Sequence, residues 1–193
     1  MANILVFSTW QLTRPPHFET DLEIMENHLE KGDKVFMIGC NAEMPACDTN
    51  IRHDLARCLY CQSRRKKGTD LLSGGIECLP IFSLTKNDRF NIRNLPTSFK
   101  TVEDLRELKI DNHDIGYAVL SSLISKIRDP NPDFESNSRI IYNMLVTSLA
   151  IYRSMINTLT AYNIDKVYVF NVCFQKKKMY FGTVFNTINP LLF

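Results

Sequence analysis

Four cysteines crowd one short polar stretch, Cys40, Cys47, Cys58 and Cys61. Thiolates are soft ligands that select zinc over magnesium, and the Cys58-x-x-Cys61 spacing lets two sulfurs converge on one tetrahedral ion. The Cys40-x6-Cys47 pair is spaced more widely than a usual zinc knuckle. Four protein thiolates leave no open position for a reactive water, so the cofactor expected here is a structural zinc. His53 lies within the same stretch and is an alternative ligand. A Cys-x-x-Cys beside a strand–helix–strand unit also fits redox chemistry, although two further cysteines upstream favour a metal. Cys78 falls in a predicted strand and Cys173 beyond the last one, and both read as small core residues. The second candidate group is His17 with Glu19. His17 opens a predicted helix, where free backbone N–H groups can hold an anion. An imidazole there can bind phosphate or a hydroxyl, act as a base near neutral pH, or merely cap its own helix.

The elements that must position these groups alternate. Asn3–Thr9 is an unbroken β-branched and aromatic run, as in a strand buried on both faces of a parallel sheet. A helix follows from about His17 to Lys31, with Phe18, Leu22, Met25 and Leu29 on one face. Lys34–Gly39 is the second strand, and the cysteine loop comes directly after it. Ser63–Leu72 reads as a helix whose basic start, Arg64 to Lys67, opposes the helix dipole and so points to another role for those charges. A third strand is predicted around Cys78–Phe82, and Thr85–Ser98 reads as loop. Thr101–Leu108 is a short helix with a Thr101/Asp104 capping box, and Asn112–Arg128 a longer one. The stretch Asp129–Asp133, with two prolines, breaks the chain. Ser138–Asn163 is the longest helix, with Ile141, Leu145, Leu149, Tyr152, Ile156 and Leu159 in one stripe. Lys166–Asn171 is the fourth strand. The pattern predicts an α/β fold, a Rossmann-like, mostly parallel sheet flanked by helices with a cysteine-rich loop after strand two.

In such sheets ligands bind beyond the carboxyl ends of the strands. His17 and Glu19 follow strand one, the cysteines follow strand two, and Asn171 closes strand four. No dinucleotide, P-loop, zincin or nucleophile-elbow motif occurs. With 193 residues, 45% apolar content and a net charge of +2, the chain can bury one core and carries no strong field for nucleic acid or membrane. Its start has no secretory leader, so a reducing cytoplasm is expected, where clustered thiols more often hold metal than pair.

Several stretches together resemble a known family. They are His17-Phe-Glu-Thr-Asp-Leu-Glu23, Gly39-Cys40 with Cys47 and Cys58-x-x-Cys61-x-Ser63-Arg64-Arg65-x-x-Gly68, Asp114-Ile-Gly116 with Ser121-Ser122, and Val169-Phe-Asn171. The combination resembles bacterial capsular or surface polysaccharide biosynthesis proteins, specifically the N-terminal, acceptor-side domain of two-domain (GT-B) glycosyltransferases, over residues 1–171. The resemblance implies a sugar or lipid-linked sugar acceptor as partner, with the donor bound by a separate domain, and a cytoplasmic location at or near the inner membrane surface. On that reading His17 is a base, Glu19 faces the acceptor, and Arg64, Arg65 and Asn171 contact acceptor or phosphate. The family follows its Phe-Asn with Gly-Arg, whereas this chain continues Val172-Cys173. The tail 172–193 is unlike a donor domain, and its expected origin is truncation, leaving a chain inactive alone. The alternative is a zinc-knuckle nucleic-acid-binding module using Arg52, Arg57 and Arg64–Lys67, with only Tyr60 to stack on bases.

Overall fold

The computed structural model describes residues 1–9, 11–12 and 16–169. Strands β1 (Asn3–Phe7), β2 (Lys34–Gly39), β3 (Glu77–Pro80) and β4 (Lys166–Val169) form one sheet in the order β3-β2-β1-β4, and every pairing is parallel. The expected α/β class with a parallel sheet is therefore the observed one. Asn171 and Cys173, and with them the tail 172–193, lie outside the described residues.

Alternation along β1 and β2 divides the core into two layers. Leu5, Phe7, Phe36 and Ile38 point to one face, where α3 (Lys86–Arg93), α4 (Val102–Arg106), α5 (Ile115–Ile127) and α6 (Phe134–Tyr162) supply Ile92, Leu105, Val119, Leu145 and Leu149. Ile4, Val6, Val35 and Met37 point to the other, covered by Phe18 and Met25 of α1 (His17–Leu29). Both central strands are thus buried on both sides, which explains their unbroken apolar runs.

Three helices depart from the sequence reading. Helix α2 spans Leu55–Thr69 rather than beginning near Ser63. Asp54 caps it, its carboxylate accepting from the backbone N–H groups of Ala56 and Arg57. Apolar periodicity could not reveal this start, because Leu55, Leu59 and Tyr60 are all exposed and only Gly68 is buried. Consequently Arg64 to Lys67 occupy the middle and last turns. Basic charge is favourable at that end of a helix, so the electrostatic cost expected at a helix start does not arise. Helix α3 replaces a predicted loop. It is almost wholly polar, but Thr85 and Asp88 form a complete capping box and Ile92 anchors it in the core. Helix α6 starts one turn early, at Phe134, because Asp133 caps it by accepting from the Glu135 N–H.

Helices α4 and α5 touch at Gly116. A Cβ built there would lie 1.7 Å from the Leu105 carbonyl oxygen, a backbone atom with nowhere to go. Gly116→Ala is expected to lower stability by about 1–3 kcal/mol or more through this overpacking. Gly75→Ala, at a position with nothing within 4 Å, should stay within about 0.5 kcal/mol. Urea denaturation of both variants checks the contrast.

Candidate functional site

The loop after β1 and the loop after β2 meet at the carboxyl rim, with α2 laid against both. Thr9, Gln11 and Leu12 come from the first, Cys40, Met44, Cys47 and Asn50 from the second, and Cys58 and Cys61 from α2. These side chains line one small cavity of about 20 Å³. That is room for a single water or ion. The four thiols singled out by spacing therefore do share one void. The Cys58-x-x-Cys61 pair does so by an i, i+3 relation on a helix, not from a knuckle turn.

Hydrogen bonds within the protein hold each wall. Asn50 donates through Nδ2 to the Asp54 carbonyl (2.8 Å) and to Cys58 Sγ (3.2 Å), while its Oδ1 accepts from the Asp54 N–H (2.9 Å). The buried Thr147 hydroxyl, on α6, donates to the Ala46 carbonyl (2.9 Å) and accepts from the Ala46 N–H (3.3 Å). His53 Nδ1 lies 2.6 Å from the Met44 carbonyl oxygen. Since a carbonyl only accepts, that nitrogen carries the proton. Cys61 donates through Sγ to Gln11 Oε1 (3.4 Å), and Gln11 Nε2 donates to the carbonyl and hydroxyl oxygens of Ser8 (both 3.1 Å).

The two arginines brace the rim. Arg64 Nη1 donates to the Gln11 carbonyl (2.7 Å) and Nη2 to Glu19 (2.5 Å). Arg65 Nη1 donates to the Cys40 carbonyl (2.7 Å) and Nη2 to Asn41 Oδ1 (2.6 Å). Arg65 crosses directly over Gly39, where a Cβ would stand 2.6 Å from Nη1. His17 and Glu19 begin α1 as expected, and neither lines the cysteine cavity. The Glu19 carboxyl is held below its ordinary range, chiefly by its own backbone N–H and further by Arg64, against a smaller opposing effect of burial.

Burial pushes the Cys58 and Cys61 thiols up, Cys61 to about 11, and charge on Cys47 and Cys40 pushes both the same way. The sulfurs of Cys40 and Cys47 are thus close enough to oppose ionisation of Cys58 and Cys61. A bound cation reverses that logic, because coordination deprotonates a thiol outright. The donor set therefore suits a soft ion. The spacing does not yet match it: among the described residues no three His, Cys, Asp or Glu side chains are grouped closely enough to hold a metal. The expected tetrahedral quartet is a shared lining rather than an assembled ligand set.

Neither protein-family models nor curated proteins match this chain. Among solved structures it is similar to a cyclodipeptide synthase from Fluoribacter dumoffii, with a TM-score of 0.60 and 9% identity over 97% of this chain and 84% of that one. The likeness shows a shared fold. It also overturns the resemblance to capsular polysaccharide glycosyltransferases, since the matching architecture belongs to a synthase of another kind. The zinc-knuckle nucleic-acid module fails as well: Cys58 and Cys61 sit inside α2, and the surrounding chain is a parallel α/β sheet. Among the described residues no helix is long and apolar enough to cross a membrane.

A buried acid backs this site, and sequence reasoning passed over it. Asp21 of α1 is 2% exposed, and its Oδ2 has no hydrogen-bond partner among the described residues. Burial raises its carboxyl to about 6, although a hydrogen bond from Ser8 favours the charged form. Asp21, Ser8, Gln11 and Cys61 thus form a continuous hydrogen-bonded chain from the α1 side of the sheet to the cavity. Between pH 4 and 6 the folded state holds the Asp21 proton that the unfolded state releases, so stability falls as pH rises through that window. From the ordinary value of 3.8 to about 6, the loss above pH 6 is on the order of 3 kcal/mol. Asp21→Asn should stabilise the protein at pH 8 and leave stability at pH 4 nearly unchanged. Chemical denaturation at the two pH values reads both.

Proposed function

We propose that this chain is a synthase-type enzyme whose working face is the carboxyl rim of β1 and β2, and that the rim is fixed by a structural zinc held by Cys40, Cys47, Cys58 and Cys61. The observation that carries the metal reading is the convergence of four thiols from two segments, the loop after β2 and α2, on a void of about 20 Å³. No substrate fits a space of that size, but an ion does. Four thiolates would satisfy a zinc ion fully, leaving no position for a reactive water. The ion's part is to lock the loop after β2 to α2.

The enzymatic half of the reading is supported by the fold likeness, which spans nearly the whole chain. A cyclic dipeptide is closed by two amide bonds, so a synthase that makes one must handle activated aminoacyl groups. Condensation of such groups is the activity we infer for this rim.

Protein purified without added metal is expected to contain about one zinc per chain by elemental analysis. A chelator should expose four thiols to a chromogenic disulfide reagent. Cys58→Ser should lower metal content by tenfold or more while far-ultraviolet circular dichroism shows the sheet retained. Metal-free protein with four freely reacting thiols would overturn the zinc centre. Mass spectrometry after incubation with activated aminoacyl donors tests the activity separately, with cyclic dipeptides as the expected product and unchanged donors as the contrary result.

A further inference from the structure

Beside the thiol cavity, and sharing Ala42 with it, opens a cleft of about 670 Å³ between the loop after β2 and the first turns of α6. That volume falls within the range of small-molecule sites. Arg52 and His53 come from the loop. Ser136, Arg139 and Asn143 come from α6, at spacings of three and four residues that place them along one helix face. No ion pair among the described residues engages Arg52 or Arg139, and both are exposed. Among the described residues the one carboxylate in the lining is Glu43.

Two further features set this cleft apart from an ordinary basic surface. Ala42 and His53 both line it and both adopt left-handed backbone, at φ of 65° and 54°. Such conformations are unfavourable for residues with a Cβ and gather at functional sites. Here Arg65 on one flank and the His53–Met44 bond on the other hold them in place. Because Nδ1 of His53 is committed to Met44, its Nε2 is the ring atom left to serve a ligand. The lining also includes Ile51, Ile140 and Pro45, an apolar flank for an organic portion.

We infer that this cleft binds a phosphate-bearing small molecule, with the Arg52 and Arg139 guanidinium groups on the phosphate and the apolar flank against the remainder. Guanidinium forks match phosphate oxygens in pairs. The inference rests on the reading that this rim is the working face, and it is independent of the metal's identity. In that working site the phosphate group is a handle on the substrate or on its leaving group.

Calorimetric titration of the full chain with adenosine 5′-monophosphate, with adenosine and with inorganic phosphate tests it. The monophosphate should bind, adenosine should bind at least tenfold more weakly, and inorganic phosphate should compete. Arg52→Gln and Arg139→Gln should each weaken monophosphate binding roughly tenfold or more, as expected for loss of a charge-assisted contact. Glu43→Gln, which removes the opposing carboxylate, should tighten it. Equal binding of adenosine and its monophosphate, no binding of the monophosphate below 10 mM, or indifference to both arginine substitutions would overturn the assignment. Zinc content measured on the same variants separates the two claims. Normal zinc without phosphate binding defeats only the cleft, and phosphate binding without zinc defeats only the metal centre.

Discussion

Two consecutive arginines on one helix hold the rim of this sheet together. Arg64 and Arg65 leave α2 side by side and donate to the Gln11 and Cys40 carbonyls, which belong to the loops after β1 and β2. Strand ends are where backbone carbonyls lose their ladder partners, and a buried carbonyl without a donor costs about 1–3 kcal/mol. The guanidinium fork supplies donors in a fixed plane, and a second nitrogen of each fork is anchored in turn by Glu19 or Asn41. Lysine has no such plane and could not reproduce either pair. The price of the arrangement is a glycine: Gly39 must lack a side chain so that Arg65 can cross the end of β2.

This constraint explains why α2 matters more than its burial suggests. The helix buries only Gly68, packed against Phe18 and Leu22 of α1. Hydrophobic area alone would leave it weakly attached. Its polar attachments do the rest, through the two arginines, the Asn50 contact to Cys58, and the Cys61 bond to Gln11. The helix that carries two of the four thiols is therefore positioned mainly by hydrogen bonds, and the thiol cavity exists because those bonds draw α2 over the rim. Thr147 contributes from the opposite layer by binding both backbone groups of Ala46. The loop is thus scaffolded from both faces of the sheet.

Much of this was legible in the sequence, and the failures have physical causes. Apolar runs bounded by turns identified β1 and β2 closely, because strands buried on both faces leave an unmistakable composition. The clustering of Cys40, Cys47, Cys58 and Cys61 at the rim followed from their position after the second strand. Helices α2 and α3 were misjudged or missed because neither has an apolar stripe; their starts are written in the single caps Asp54 and Thr85. Asp21 was passed over, since sequence cannot say which face of α1 meets the sheet. The family resemblance rested on short motifs, whereas the fold as a whole is similar to that of a cyclodipeptide synthase. The cleft beside the thiol loop was beyond reach because the packing of α6 on the sheet brings Arg52 and Arg139 into one lining.

Size then assigns the roles along this rim. Two spaces meet at Ala42, one of about 20 Å³ and one of about 670 Å³. The smaller is lined by sulfur, amide, hydroxyl and aliphatic groups and admits one atom-sized guest. The larger carries two guanidinium groups without ion-pair partners among the described residues and an imidazole whose orientation is fixed by Met44. Left-handed backbone at Ala42 and His53 is tolerable only while the surrounding bonds over-determine it. Whatever stiffens the thiol loop therefore also sets the shape of the cleft. The thiol cavity and the cleft are thus coupled through the loop after β2, which lines both.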